Sequence, residues 1–160
     1  MDTTAVARID GTVAVVGNGP IALHLRRGLA GAGVDVASDL AAAVFAPWDP
    51  AEIRPVPFHE LGDDEFHRAW QRTLDDAVTT AVAARARFGA RGGRLVFVVP
   101  TIALAGGAHH AHWAAAAEGV HLLAKSAARQ WGPEGITANV LAVGPAGVLA
   151  EPDTAGPVAI

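Results

Sequence analysis

Four of the seven histidines lie close together in the second half of the chain, at His109, His110, His112 and His121. An imidazole titrates near neutral pH and binds metals through a ring nitrogen, so such a cluster suggests a general base or a metal site. His112 and His121 are half a turn out of phase at roughly 100° per residue, and therefore face opposite sides of a helix. A metal would depend on the first three histidines alone, and we predict no metal site.

Ionisable side chains also follow one side of the helix predicted over about 112–131. Glu118, His121 and Lys125 recur at spacings of three and four residues, which places them on the same side. Such a strip is typical of ion pairs at a solvated or interfacial surface, and we interpret it that way rather than as catalytic machinery.

A glycine-containing turn is the third candidate site. The segment "VVGNGPIA" follows an apolar run and opens a predicted helix, with a G-x-G-x-x-A spacing at Gly17, Gly19 and Ala22. In that setting the backbone can approach a pyrophosphate, and the helix N-terminus offers it N–H donors. Pro20 removes one donor, and Asp35 or Asp39 would have to bind the ribose. The alternative explanation, which we favour, is that strand and helix must pack closely at these glycines.

Composition excludes several classes of function. The chain has no cysteine, which removes disulfides, thiolate metal sites and thiol nucleophiles. Its net charge is −4 and Lys125 is the only lysine, so we expect no nucleic-acid partner. No apolar run approaches the roughly 20 residues of a membrane span, and the first ten residues do not resemble a secretion signal. We therefore expect no membrane contact, a cytoplasmic location and, from the abundance of Ala and Gly, a bacterial source.

These residues are carried by alternating strands and helices. Apolar runs at 12–17, 34–36, 41–47, 94–100 and 135–144 predict about five strands, and helices are predicted at 20–31, 63–88 and about 112–131, with a loop at 48–62. This alternation predicts an α/β fold of one domain, a shortened Rossmann-like doubly wound and mainly parallel sheet with the first strand near its centre. An N-terminal segment, 1–11, precedes the domain at 12–144, and a proline-containing tail, 145–160, follows it.

The order of elements resembles the short-chain dehydrogenase/reductase family over roughly 12–144. The most specific stretch is "AKSAARQWGPEGITANVLAVG", which is similar to the family's segment after its catalytic helix. "DDEFHRAWQRTLDDAV" resembles the long helix before the strand that carries the catalytic serine. The chain is shorter than the family's usual length and resembles a truncated member.

The resemblance implies four catalytic positions, and all four are degenerate here. Trp113 stands in place of the proton-donating tyrosine, Ala117 in place of the lysine and Thr73 in place of the asparagine. Thr101 stands in place of the serine, or Pro100 if the gap is counted differently. The chain contains no tyrosine, so a shifted alignment cannot restore the proton donor. An indole N–H does not ionise usefully near neutral pH, and alanine can neither adjust a pKa nor hold a ribose. We therefore expect no catalytic residue at these positions.

Two apolar helix faces suggest association with another protein. In the family, the two long helices pair with their counterparts in a second subunit. The predicted interface residues are Phe66, Trp70, Ala77, Phe88, Val120, Ala124 and Trp131. The expected partner is a catalytically complete homologue in a hetero-oligomer, or a second copy of this chain. We expect no cofactor in the chain itself; NAD(P), if present, would occupy the Gly17 turn or the partner subunit alone.

Three functions are compatible with these residues. The leading hypothesis is a non-catalytic subunit that supports the assembly or substrate choice of an active ketoreductase or dehydrogenase. The first alternative is an enzyme of altered chemistry, such as a dehydratase, cyclase or isomerase, with a base among His109, His110 and His112 and with Thr101 as hydrogen-bond donor. The second alternative is a sensor that binds a nucleotide at the Gly17 turn.

Overall fold

A four-stranded parallel sheet forms the centre of the structure. The computed structural model describes residues 11–31, 40–49 and 53–144. Its strands are β1 (Thr12–Val16), β2 (Leu40–Phe45), β3 (Gly93–Pro100) and β4 (Ile136–Val143), in the order β1-β2-β3-β4. All three pairings are parallel, and β3 and β4 stay in register over eight residue pairs. The apolar, non-alternating composition of β2 and β3 is typical of parallel strands covered on both faces.

Four helices connect the strands: α1 (Pro20–Gly31), α2 (Asp63–Phe88), α3 (Ile102–Ala105) and α4 (Ala111–Trp131). Three acids in the first turn of α2 complement the helix dipole, and Gly89, at φ +55°, ends that helix. Pro20 is the first residue of α1. A backbone N–H at that position would have no partner within the helix, so the proline costs the helix no hydrogen bond. Within the described ranges, none of these helices is long and apolar enough to cross a membrane.

The predicted α/β architecture, with its mainly parallel sheet, is therefore confirmed. The three helices and four of the five strands match the predicted ranges closely. The strand predicted at 34–36, with Asp35 and Asp39, lies outside the described residues, as do residues 1–10 and the tail at 145–160. Among the four described strands β1 stands at one end rather than near the centre.

The two long helices cover the sheet with alanine-rich faces. Along α2 the buried positions recur every three or four residues, and most of them are alanines; α4 follows the same pattern. A Cβ at Gly119 of α4 would lie 2.9 Å from Leu74 Cδ2 of α2, so the helices approach each other closely there. Small side chains on both helices allow this close packing.

This packing corrects part of the predicted interface. Ala77, Phe88, Val120 and Ala124 are all at most 1% exposed within the single chain. Their side chains already belong to the core and are not available to a second protein, so the prediction is wrong for these four residues. The periodic apolar stripe faces the chain's own sheet. Of the remaining three, Trp70 is exposed, and Phe66 and Trp131 are half-buried.

Candidate functional site

The position that the resemblance assigns to the tyrosine lies in the first turns of α4. Trp113 is 7% exposed there, and Ala117, one turn later on the same face, is fully buried. Thr73 of α2 lines two of the same cavities as Trp113, so two of the four positions that the resemblance names come together. The Thr73 hydroxyl donates to the Ala69 carbonyl at 2.8 Å, within its own helix. None of these three side chains can take or give a proton near neutral pH.

Trp48 packs directly against Trp113. The two rings meet edge to face with centroids 6.2 Å apart and an interplanar angle of 74°. Trp48 is 1% exposed, and its indole N–H donates to the Val98 carbonyl of β3. An edge-to-face arrangement is a favourable aromatic geometry. The tyrosine position is therefore part of a packed aromatic cluster that fastens the segment after β2 to the sheet.

Two buried nitrogen atoms in this cluster lack hydrogen-bond partners among the described residues: His112 Nδ1 and Trp113 Nε1. The rings of His112 and Trp113 lie 5.8 Å apart. Burial lowers the pKa of the His112 imidazole below its ordinary value of 6.5, Glu65 opposes that shift, and His110 adds to it. His112 is therefore held neutral in the folded protein near neutral pH. A neutral imidazole can donate one hydrogen bond and accept another, but it carries no charge.

Thr101, the position of the serine, joins the sheet to the short helix α3. Its backbone N–H donates to the Val143 carbonyl at 2.8 Å, and its own carbonyl accepts from Leu104 and Ala105. The backbone of Thr101 therefore extends the hydrogen bonding between β3 and β4 by one bond beyond the end of β3. Thr101 does not line either of the two cavities that contain Trp113.

The histidine cluster is divided between different surroundings. His112 is buried, whereas His109 is exposed at φ +65° and His110 Nδ1 lies 2.7 Å from the Ala108 carbonyl. His121 Nδ1 lies 3.1 Å from Glu118 Oε2, in the ion-pair strip that the sequence predicts. Of the three histidines proposed as a base, only His112 lines the cavity beside Trp113. The described part of the chain contains no group of three metal-binding side chains.

The glycine turn is filled by the chain's own backbone. A Cβ at Gly17, where φ is +135°, would lie 1.9 Å from the Ala46 carbonyl oxygen, and one at Gly19 would lie 1.8 Å from that of Trp48. Ala22 is fully buried, and Arg26 donates to the Gly17 carbonyl at 2.7 Å. Both glycines are therefore required because the segment after β2 passes directly against the turn.

The cavity in front of this turn, of about 380 Å³, fits a dinucleotide poorly. Asp49, Asp76 and Arg72 are the ionisable residues that line it. Two carboxylates against one guanidinium oppose the approach of a pyrophosphate. Pro20 at the start of α1 also leaves the helix one N–H donor fewer for an anion.

A second cavity, of about 510 Å³, is also lined by Trp113 and lies between the beginnings of α2 and α4. Its ionisable lining consists of Arg54, Glu65, Arg68, Arg72 and His112. Arg54 Nη2 lies 3.4 Å from Glu65 Oε1, and both side chains stand at the surface.

Sequence patterns alone did not indicate this cavity or the buried role of Trp48. The sequence signal for the cavity was the four-residue spacing of Arg68 and Arg72. The signal for the burial of Trp48 was its place directly after a predicted apolar strand.

Comparison with protein families gives a match over most of the chain. The family described as enoyl-(acyl carrier protein) reductase matches residues 32–157. A search of curated protein sequences finds no match.

Solved structures with the same fold include several dehydrogenases. A short-chain dehydrogenase from Rhodopseudomonas palustris is 19% identical, with a TM-score of 0.69 over 82% of this chain and 84% of that chain. A gluconate 5-dehydrogenase from Burkholderia cenocepacia, solved with NADP and tartrate, is 23% identical, with a TM-score of 0.67 over 86% and 72%. The TT0495 protein from Thermus thermophilus is 25% identical, with a TM-score of 0.59 over 79% of this chain. The match covers 51% of TT0495, so this chain spans about half of that relative.

Proposed function

Because the chain belongs to the short-chain dehydrogenase/reductase family, we propose that it is a non-catalytic subunit of that family. It associates with a catalytically complete relative and supports the assembly or the substrate choice of that enzyme. A cytoplasmic location is part of the same proposal.

The observation that carries this proposal is the packing of Trp113. Proton transfer needs an ionisable group in contact with the substrate oxygen. At the tyrosine position the chain places an indole whose ring edge meets Trp48 and whose nitrogen is buried. Ala117 cannot replace the lysine because its methyl group is buried and has no charge. Trp113 and Ala117 therefore contribute to the packed core at the positions where the family has catalytic residues.

The glycine turn supports a subunit that leaves the cofactor to its partner. The space in which a Cβ of Gly17 or Gly19 would lie is taken by backbone carbonyls, and the cavity in front of the turn is lined by two carboxylates and one guanidinium. The nucleotide-sensor alternative therefore loses its main support. The altered-enzyme alternative also loses support, because His109, His110 and Thr101 do not share the cavity of His112.

The outward faces of α2 and α4 are the proposed contact with the relative. Val78 and Val82 are 46% and 55% exposed and lie one turn apart on α2, and Leu122 of α4 is 53% exposed. Leu74, one turn before Val78, meets Gly119, one turn before Leu122, so the exposed side chains flank the contact between the helices. Exposed branched apolar side chains on neighbouring helices are typical of a surface that a partner covers.

Co-expression with a catalytically complete relative from the same genome tests the proposal. We expect the two chains to co-elute from a size-exclusion column. The double substitution Val78→Glu and Val82→Glu should dissociate them, because two charges would be buried at the contact. A matched control, Ala83→Glu and Arg87→Glu, changes exposed positions of the same helix and should leave the complex intact. Separate elution of the wild-type chains, or equal behaviour of both double variants, would contradict the proposal.

A further inference from the structure

The cavity between the beginnings of α2 and α4 has an excess of positive charge. Three guanidinium groups, those of Arg54, Arg68 and Arg72, face one carboxylate, Glu65. Glu65 is paired with Arg54 at 3.4 Å, and Arg72 has an interaction of its own. Arg68 makes no hydrogen bond or ion pair with the described residues. Arg68 and Arg72 lie one helical turn apart, so both guanidinium groups can reach the same bound group.

The inner wall of this cavity is buried and lacks hydrogen-bond partners. His112 and Trp113 are 2% and 7% exposed, and one ring nitrogen of each has no partner in the described part of the chain. Both residues line the cavity to which Arg68 and Arg72 also contribute. Their unpartnered nitrogen atoms are covered by protein, so a ligand would contact the rings and not these atoms.

We propose that this cavity binds a small molecule bearing a carboxylate or phosphate group, held by Arg68 and Arg72 against the His112–Trp113 wall. A guanidinium group matches the geometry of either oxyanion with two parallel N–H donors. A cavity of about 510 Å³ is the size of sites for small molecules. The indole of Trp113 provides an apolar surface for the rest of the ligand.

This site does not depend on a partner subunit, because one chain supplies all of its residues. It also makes no use of the nicotinamide cofactor or of proton transfer. The two proposals can therefore fail separately: the isolated chain tests the oxyanion site, and co-elution tests the association.

Titration of the isolated, ¹⁵N-labelled chain with inorganic phosphate and with succinate tests the inference. Sodium chloride keeps the ionic strength constant, and the indole N–H resonance of Trp113 reports binding. We expect a saturable shift with at least one of the two probes. Saturation with phosphate alone identifies a phosphate ester as the ligand class, saturation with succinate alone a carboxylate, and saturation with both a general oxyanion site.

Two variants separate binding at this site from general attraction of anions. Arg68→Gln removes the available guanidinium and should weaken binding at least tenfold. Arg87→Gln removes an exposed guanidinium from the end of the same helix, outside the cavity, and should bind like the wild type. The inference is overturned if neither probe gives a saturable shift at tens of millimolar, or if both variants bind equally well.

Discussion

Trp48 and Trp113 meet edge to face, with ring centroids 6.2 Å apart, at the position that the resemblance assigns to the proton-donating tyrosine. One ring comes from the segment after β2 and the other from the first turn of α4. Their contact joins the glycine turn, the sheet and α4 in one core, since Trp48 is also bonded to β3 and its carbonyl lies against Gly19. Trp48 and Trp113 therefore belong to the packed core of the domain.

Removal of the Trp48 ring should destabilise the protein strongly. Trp48→Ala deletes a side chain that is 1% exposed and should lower the free energy of unfolding by about 3–5 kcal/mol. Trp70→Ala removes a ring that is 37% exposed and should cost clearly less. Urea unfolding followed by circular dichroism measures both. Equal losses in the two variants would mean that Trp48 does not hold this core together.

A lysine at position 117 should destabilise the fold. Ala117 is fully buried, so Ala117→Lys places an ammonium group among apolar side chains, and we expect a loss of about 3–5 kcal/mol. Ala115→Lys, at an exposed position of the same helix, should change the stability by less than about 0.5 kcal/mol. Thermal unfolding of the two variants provides the comparison. An Ala117→Lys protein as stable as the wild type would show that the site is open to solvent.

The glycine turn should tolerate no side chain. Gly17→Ala introduces a Cβ 1.9 Å from a backbone carbonyl oxygen at φ +135°, so we expect a loss on the order of 3 kcal/mol or more. Gly28→Ala, in the interior of α1 with open space around it, should instead stabilise by about 0.5–1 kcal/mol. Chemical denaturation distinguishes the two signs. The packing explanation of the turn fails if Gly17→Ala is neutral.

Acidification should destabilise the protein through His112. Because burial lowers the pKa of this imidazole, the unfolded chain takes up its proton at a higher pH than the folded chain. The free energy of unfolding should therefore fall as the pH drops through about 6.5, and this contribution should end below the lowered pKa of the folded state. Denaturation at a series of pH values should show a smaller slope in His112→Gln. His67→Gln, which replaces an exposed imidazole, should keep the slope of the wild type.

Much of the fold was readable from the sequence because hydrophobic periodicity directly reflects local structure. The apolar run that fills most of Gly93–Pro100 and the three- and four-residue spacing along Asp63–Phe88 each have one simple structural solution. The absence of any tyrosine was equally readable, since it depends on residue identity alone. In contrast, the apolar stripe of α4 does not reveal whether it faces the chain's own sheet or a partner. For that reason the sequence favours an interface at Val120 and Ala124, whereas the structure places both residues in the core.

The remaining features depend on contacts between segments that are distant in the sequence. Trp48 lies in a predicted loop, and its buried ring donates a hydrogen bond to the carbonyl of Val98, fifty residues later. The arginine-lined cavity similarly combines a loop residue, Arg54, with residues of two helices. Local sequence patterns carry no information about such long-range contacts, because these contacts form only when the helices pack on the sheet.

The most direct test of the central claim is steady-state oxidation of NADPH by the isolated chain in the presence of a ketone substrate. A catalytically complete short-chain dehydrogenase under the same conditions serves as the positive control. We expect consumption of NADPH by the wild-type chain to equal that of buffer alone, because no ionisable group occupies the position of Trp113. Saturable NADPH consumption that rises in proportion to the concentration of the chain would contradict the account.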